Sequence, residues 1–175
     1  MHGLRIPLVC ALDYRGAIRS ILYQYKDHRI RQLAGEIAPA LAAAVSYTAD
    51  HAQVSTNSIV LVPMPTRRGN IRRRGFDATA HLTSHVQRII PTRGVAQLLI
   101  DQRMSRGVKH QGVFEREQAI RDAFLLRKSR RSVNESPVIL VDDIVTTGST
   151  VREAALALIL AGVQVAGIAT AAGTP

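Results

Sequence analysis

The sequence predicts an α/β domain: a mostly parallel sheet with helices on both faces and a small N-terminal helical cap. Two apolar runs, Ile59–Val62 and Val138–Val141, contain no alternating polar residue, as strands buried on both faces require. A third apolar run, Val163–Ala172, follows near the end of the chain. Segments with helical spacing lie between these runs, and strands that alternate with helices argue a parallel sheet. The chain has 175 residues, 46% of them apolar, which suits one domain with a sizeable core. We divide it at about residue 55 into the cap and the core, residues 56–175.

Residues 1–10 carry no clear pattern. Tyr14, Ile18, Ile21, Leu22 and Tyr25 recur at helical spacing and predict a first helix over Asp13–Tyr25. Ile30, Leu33, Ile37, Leu41 and Val45 predict a second over about Arg29–Ser46, with a kink or break at Pro39. Residues 48–57 are polar and read as a loop. Ile59–Val62 is the first core strand, ended by Pro63-Met64-Pro65, because proline cannot donate to a ladder. A basic loop follows, then a helix over about Asp77–Ile90 closed by Pro91. Gly94–Ile100 reads as a strand and residues 101–111 as a mobile loop. Phe114–Ala123 suits a short helix, Phe124–Leu126 a strand, and residues 127–136 a linker. Val138–Val141, a helix from Val151 to Gly162, and Val163–Ala172 complete the pattern.

Charge is unevenly distributed. The net charge is +10, yet residues 67–131 alone hold sixteen basic and five acidic groups, a net of +11. Such an excess suits a polyanionic small substrate or a nucleic acid. Seven aromatics, none set within a dense basic array, argue against a base-stacking platform for single strands. Cys10 is the lone cysteine, which excludes an intramolecular disulfide. No apolar run approaches the length of a membrane span and no signal peptide is evident, so a cytoplasmic protein is expected.

The richest stretch is Val138-Ile-Leu-Val-Asp142-Asp143-Ile-Val-Thr146-Thr147-Gly148-Ser149-Thr150. Two carboxylates stand where the buried strand is expected to end, before a hydroxyl-rich turn with one glycine and a helix. Open α/β sheets bind ligands at the carboxyl ends of their strands. A helix N-terminus offers unpaired N–H groups and partial positive charge to an anion. The stretch therefore reads as a phosphate cradle with two acids at its lip. Asp-Asp alone would equally suit a receiver-type acidic pocket or a strand ending in a polar turn. Thr150 and Glu153 also spell a capping box, which competes for the Thr150 hydroxyl.

The whole pattern closely resembles the binding signature of the type I phosphoribosyltransferases. The resemblance implies that Thr146, Thr147, Gly148, Ser149 and Thr150 hold the 5′-phosphate of phosphoribosyl pyrophosphate. It implies that Asp142 and Asp143 accept hydrogen bonds from the ribose hydroxyls, directly or through the water shell of Mg2+, and stabilise positive charge at the anomeric carbon. It also places a pyrophosphate grip after the first core strand, in the loop from Pro63 through Met64, where Arg67 and Arg68 are the candidates and Arg72–Arg74 stand behind them. In the family this loop commonly holds a non-proline cis peptide. A loop over residues 101–111 would close on the leaving group, with Lys109 as the candidate ahead of Arg103 and Arg106.

Further motifs narrow the resemblance. Tyr14-Arg-Gly16, Lys26, Pro63-Met-Pro65, Arg74-Gly-Phe-Asp77, Gln111, Glu115-Arg116 and Ala123-Phe124 look like the ComF family of competence-associated phosphoribosyltransferase-like proteins. Three features depart from it. The family's four-cysteine zinc module has no counterpart beyond Cys10, its Asn-Gln appears as Asp77-Ala78, and its asparagine after Glu-Arg appears as Ala119. The expectation is a protein that binds phosphoribosyl pyrophosphate with Mg2+ and transfers ribose 5-phosphate to an unidentified acceptor. The alternative is a non-catalytic regulator or competence/DNA-uptake accessory that uses the same fold to bind sugar phosphate, nucleic acid or a partner protein of the competence machinery. A homodimer is left open.

Overall fold

The computed structural model describes residues 6–102, 123–127 and 136–174. Its main strands are β1 (Leu8–Asp13), β2 (Val60–Pro63), β3 (Gly94–Val95), β6 (Val138–Val145) and β7 (Val165–Gly173). They form one sheet in the order β1-β7-β6-β2-β3, and every neighbouring pair runs parallel. Strands β4 (Leu99–Asp101) and β5 (Phe124–Leu126) form a separate antiparallel pair. The described helices are α1 (Gly16–Lys26), α2 (Ala34–His51), α3 (Arg68–Arg74), α4 (Ala78–Ile89) and α5 (Ser149–Leu160).

The alternation along each central strand builds two cores. Ile59, Leu61, Ile139 and Val141 pack with residues of α1, α2 and α4. Val60, Val62, Val138 and Leu140 pack with α5 and the β4–β5 pair. Because both sets are apolar, the strands read as continuous hydrophobic runs, and the doubly covered sheet is as expected.

Helix α2 lies close to the sheet because its buried face is largely alanine: Ala34, Ala38, Ala42, Ala44 and Ala49. Gly167 of β7 completes that fit. A Cβ there would stand 2.4 Å from the Thr48 methyl group. Pro39 does not break α2. Both Pro39 and Gly35, whose carbonyl loses its helical partner, lie on the exposed face, where the freed oxygen is open to solvent.

Several boundaries differ from the sequence reading. Residues 8–13 form an edge strand, held by pairing to β7 rather than by any pattern of their own. Helix α2 runs on to His51, through residues read as loop, because its own Thr48 and Ala49 face inward and are buried. The expected loop after β2 contains α3, a single basic helix stopped by Gly75 at φ 77°. The stretch 94–100 is two strands rather than one, since β3 pairs with β2 whereas β4 turns away to pair with β5. Strand β6 does not end before the acids; it continues through Asp142 and Asp143 to Val145, pairing Asp142 with Thr170 and Val145 with Gly173. All peptide bonds of the described residues are trans, including those of the 63–68 loop.

Candidate functional site

Strand order locates the site. From β2 the chain goes to β3 on one side, and from β6 it goes to β7 on the other. The crevice between β2 and β6 is therefore the topological switch point, where open α/β sheets take ligands. Strand β2 stops where Pro63 pairs with Val141 and the Met64 N–H donates to the Val141 carbonyl at 2.8 Å. Strand β6 runs four residues further, paired with β7 alone, so Asp142 and Asp143 border an opening on their β2 side.

The turn after β6 bears the predicted cradle. Thr146, Thr147 and Ser149 are exposed, and Gly148 is buried. The Thr147 and Ser149 hydroxyls lie 3.0 Å apart, and Thr174 Oγ1 donates to the Thr146 carbonyl at 3.1 Å. Gly148 is the N-cap of α5 and adopts φ 72°, a region that favours glycine. Its missing Cβ does not face the mouth of the turn: it would meet Leu8 at 3.4 Å and the Arg152 guanidinium carbon at 3.7 Å. Positive φ, rather than close approach of an anion, is what requires glycine there. Gly148, which has no side chain to offer, is the cap, and the Thr147 hydroxyl accepts the Ser149 N–H at 3.4 Å; Thr150 lies inside the helix rather than at the capping position that the Thr150–Glu153 box requires. The first turn contains no acidic residue that would compete with an anion.

The acids sit in unlike surroundings. Asp143 is almost fully buried and its Oδ2 lies 2.9 Å from Lys26 Nζ at the end of α1. Asp142 is partly buried, and its Oδ1 accepts the Asp143 N–H at 2.9 Å. Burial, then the Asp143 charge, pushes the Asp142 carboxyl well above its usual value. Burial pulls the Lys26 ammonium down, but the Asp143 charge and hydrogen bond outweigh it and hold Lys26 above its usual value. Burial and then Asp143 also raise the neighbouring Tyr25 phenol.

Across the crevice, Arg67 and Arg68 are exposed at the start of α3. Arg67 Nε is 3.5 Å from Asp101 Oδ2, a long contact that leaves most of the guanidinium for other partners. Met64 is 5% exposed and its side chain joins the core, so it offers the crevice backbone rather than side chain. Arg73 and Arg74 instead turn to Asp27, at 3.5 and 3.2 Å. Lys109, with Arg103, Arg106, Gln111, Glu115, Arg116 and Ala119, lies outside the described residues. A cavity of about 770 Å3 borders the 63–68 loop, between it, Gln97, Asp101 and Arg127. None of residues 142–150 lines it, so this cavity and the acid-bearing end of β6 are separate features of the same sheet edge.

Lys26 is the residue that pattern reading did not assign to the site. The available signals were its place among the residues that carry the narrower resemblance and its type: only three of 23 basic residues are lysine, and this one ends an amphipathic helix. Asp77, a departure from the resembled pattern, keeps a structural role. Its Oδ1 accepts the Ala80 N–H at 3.1 Å as the α4 cap.

Fold and site define a class: a doubly wound parallel α/β domain with a hydroxyl-rich turn at a helix N-terminus and an acidic pair at its switch point. The chain belongs to the phosphoribosyl transferase domain family, which matches residues 29–175. It is 29% identical over 160 residues to the DNA utilization protein YhgH of Escherichia coli O6:H1, an alignment covering 89% of this chain and 66% of that protein. The chain thus spans just under two thirds of that relative's length. Together these findings support a ComF-like type I phosphoribosyltransferase domain.

Proposed function

We propose that the protein binds phosphoribosyl pyrophosphate with Mg2+ and transfers ribose 5-phosphate to a nucleophile, releasing pyrophosphate. The observation that carries this reading is the turn Thr146–Thr150 at the N-terminus of α5, directly after the acidic pair on β6, whose neighbouring strand β2 leads into the arginine-bearing loop. In this reading the 5′-phosphate sits on the hydroxyls and N–H groups of the turn. Carboxylate accepts from the ribose hydroxyls and stabilises the positive charge that builds at the anomeric carbon. Arg67 and Arg68 grip the leaving pyrophosphate with paired N–H donors. The protein contributes position and charge, with no covalent intermediate required.

The donor set fits Mg2+ delivered with its substrate. Among the described residues no cluster of three or more His, Cys, Asp or Glu could hold a metal ion, and the crevice offers two carboxylates. Mg2+ keeps several waters and binds through one or two carboxylates plus substrate phosphates. When bound it neutralises charge on the leaving pyrophosphate. Asp142 would meet its shell. Calorimetry with Mg–phosphoribosyl pyrophosphate, followed by a screen for pyrophosphate release with candidate nucleophiles, tests the proposal. Absence of binding would end it, and binding without release by any nucleophile would favour the second reading.

That second reading is a non-catalytic accessory in DNA uptake or use, which binds nucleic acid or a competence-machinery partner. The name of the relative, a DNA utilization protein, favours it, as do the exposed Arg72 and Arg73 on α3. Fold alone does not separate the two.

A further inference from the structure

The two carboxylates of the crevice differ in burial and in partner. Side chains alternate along a strand. Val138 and Leu140 face the core under α5, and Ile139 and Val141 face the core under α1, α2 and α4. That alternation does not run on unbroken past Val141, since Ile144 packs with the core under α1, α2 and α4 and Val145 with the core under α5; what sets the acids apart is burial and pairing, with Asp143 buried against Lys26 at the end of α1 and Asp142 the more exposed of the two. The Asp143 and Lys26 side chains are 4% and 20% exposed, and their charged atoms lie 2.9 Å apart.

The end of α1 is itself fixed. Asp27 holds Arg74, a side chain only 12% exposed, and Arg73 from α3. Arg29 donates to the Arg73 carbonyl and Arg31 to the Gly75 carbonyl, the latter at 3.0 Å. Lys26 therefore reaches the acidic pair from an anchored position. It also lies ahead of the residues that the family matches, 29–175.

We propose that Lys26 is a positioning residue that commits Asp143 to the fold, so that Asp142 alone of the pair reads the ribose. The inference rests on the proposed sugar-phosphate site and divides the work within it. Two adjacent carboxylates in a half-buried strand repel each other, and a cation on one leaves the other free to accept hydrogen bonds. Without Lys26, the bare Asp143 charge would compete with Asp142 for the same protons and donors. Removing both partners of a buried pair is far milder than removing one.

The test uses the full chain and two probes, ribose 5-phosphate and inorganic phosphate, by calorimetry. Lys26→Met should weaken ribose 5-phosphate by about tenfold or more while changing inorganic phosphate by no more than about twofold. Lys26→Arg should keep the ribose affinity. The double variant Lys26→Met/Asp143→Asn should recover it to within about threefold of the parent, whereas Asp142→Asn should lose it by about tenfold. The double variant also carries the test if Lys26→Met alone does not fold. A folded double variant as weak as Asp142→Asn, or a Lys26→Met protein that binds ribose 5-phosphate like the parent, overturns the division. A parent that binds neither probe overturns the sugar-phosphate site itself, and this inference with it.

Discussion

The Thr66 hydroxyl donates to Asp77 Oδ1 at 2.8 Å, and the same oxygen accepts the Ala80 N–H at 3.1 Å. One carboxylate oxygen thus caps α4 and tethers the loop that presents Arg67 and Arg68. Position 77 needs an acceptor oxygen more than a charge, which an asparagine would also supply. Asp77→Ala should destabilise the fold by about 1 kcal/mol through loss of the cap. It should also weaken pyrophosphate binding by loosening Thr66. Asp77→Asn should restore both. Equal unfolding curves for the alanine variant and the parent would remove the cap from the argument.

Gly148→Val tests the turn. A β-branched residue at φ 72° is strained, and its side chain would press on Leu8 and Arg152. Binding of ribose 5-phosphate should be lost, with a stability cost of about 1–3 kcal/mol from the backbone strain. Both are read on one preparation by calorimetry and thermal unfolding. Retained phosphate affinity would move the cradle elsewhere.

Gly167→Ala separates packing from function. The added Cβ meets the Thr48 methyl and the ring of Pro7 at 2.4 and 3.1 Å, so α2 or the residues before β1 must shift. Overpacking of this kind costs about 1–3 kcal/mol. Thr48→Ser in the same chain removes the clashing methyl and should recover part of that loss. Chemical denaturation of the two variants checks it, and a Gly167→Ala protein as stable as the parent refutes the close contact.

His81 predicts a pH dependence of stability. Tyr25 Oη donates to the Ala78 carbonyl at 2.7 Å and lies 3.0 Å from His81 Nδ1, so the imidazole nitrogen supplies the proton of the second bond. Burial, then the charges of His85, Arg31 and Arg88, hold the His81 pKa below its ordinary value of 6.5. As pH falls through 6.5 the unfolded chain takes up this proton before the fold does. The contribution is therefore complete above that pH, and is lost as pH falls toward the depressed folded value. Thermal unfolding between about pH 8 and pH 5 should show a shallower decline for His81→Gln than for the parent. Parallel declines would exclude His81.

Arg67 and Arg68 distinguish a compact anion from a nucleic acid. Replacing both by Gln should weaken pyrophosphate by about tenfold or more and leave the fold intact, since both are exposed. Any DNA binding should fall steeply as salt rises. DNA binding that persists at moderate salt, with no measurable pyrophosphate affinity, would reverse the order of the two functional readings.

What the chain by itself determined was local. Val138–Val141 and Ile59–Val62 announce buried strands because both their faces are apolar, and no distant partner is needed to see it. The turn Thr146–Thr150 is legible because hydroxyls, one glycine and a following helix are contiguous. Tertiary structure decided what depends on residues far apart in the chain. Strand β6 continues through two carboxylates, which local preference reads as a stop, because Lys26 compensates Asp143 and β7 pairs Asp142 through Val145. Residues 8–13 become a strand because β7 offers an open edge, and 94–101 splits because two partners compete for it. The division between Arg67 and Arg68 at the crevice and Arg73 and Arg74 on Asp27 is likewise invisible in a run of like charges. It arises because a short helix turns its two ends toward different neighbours.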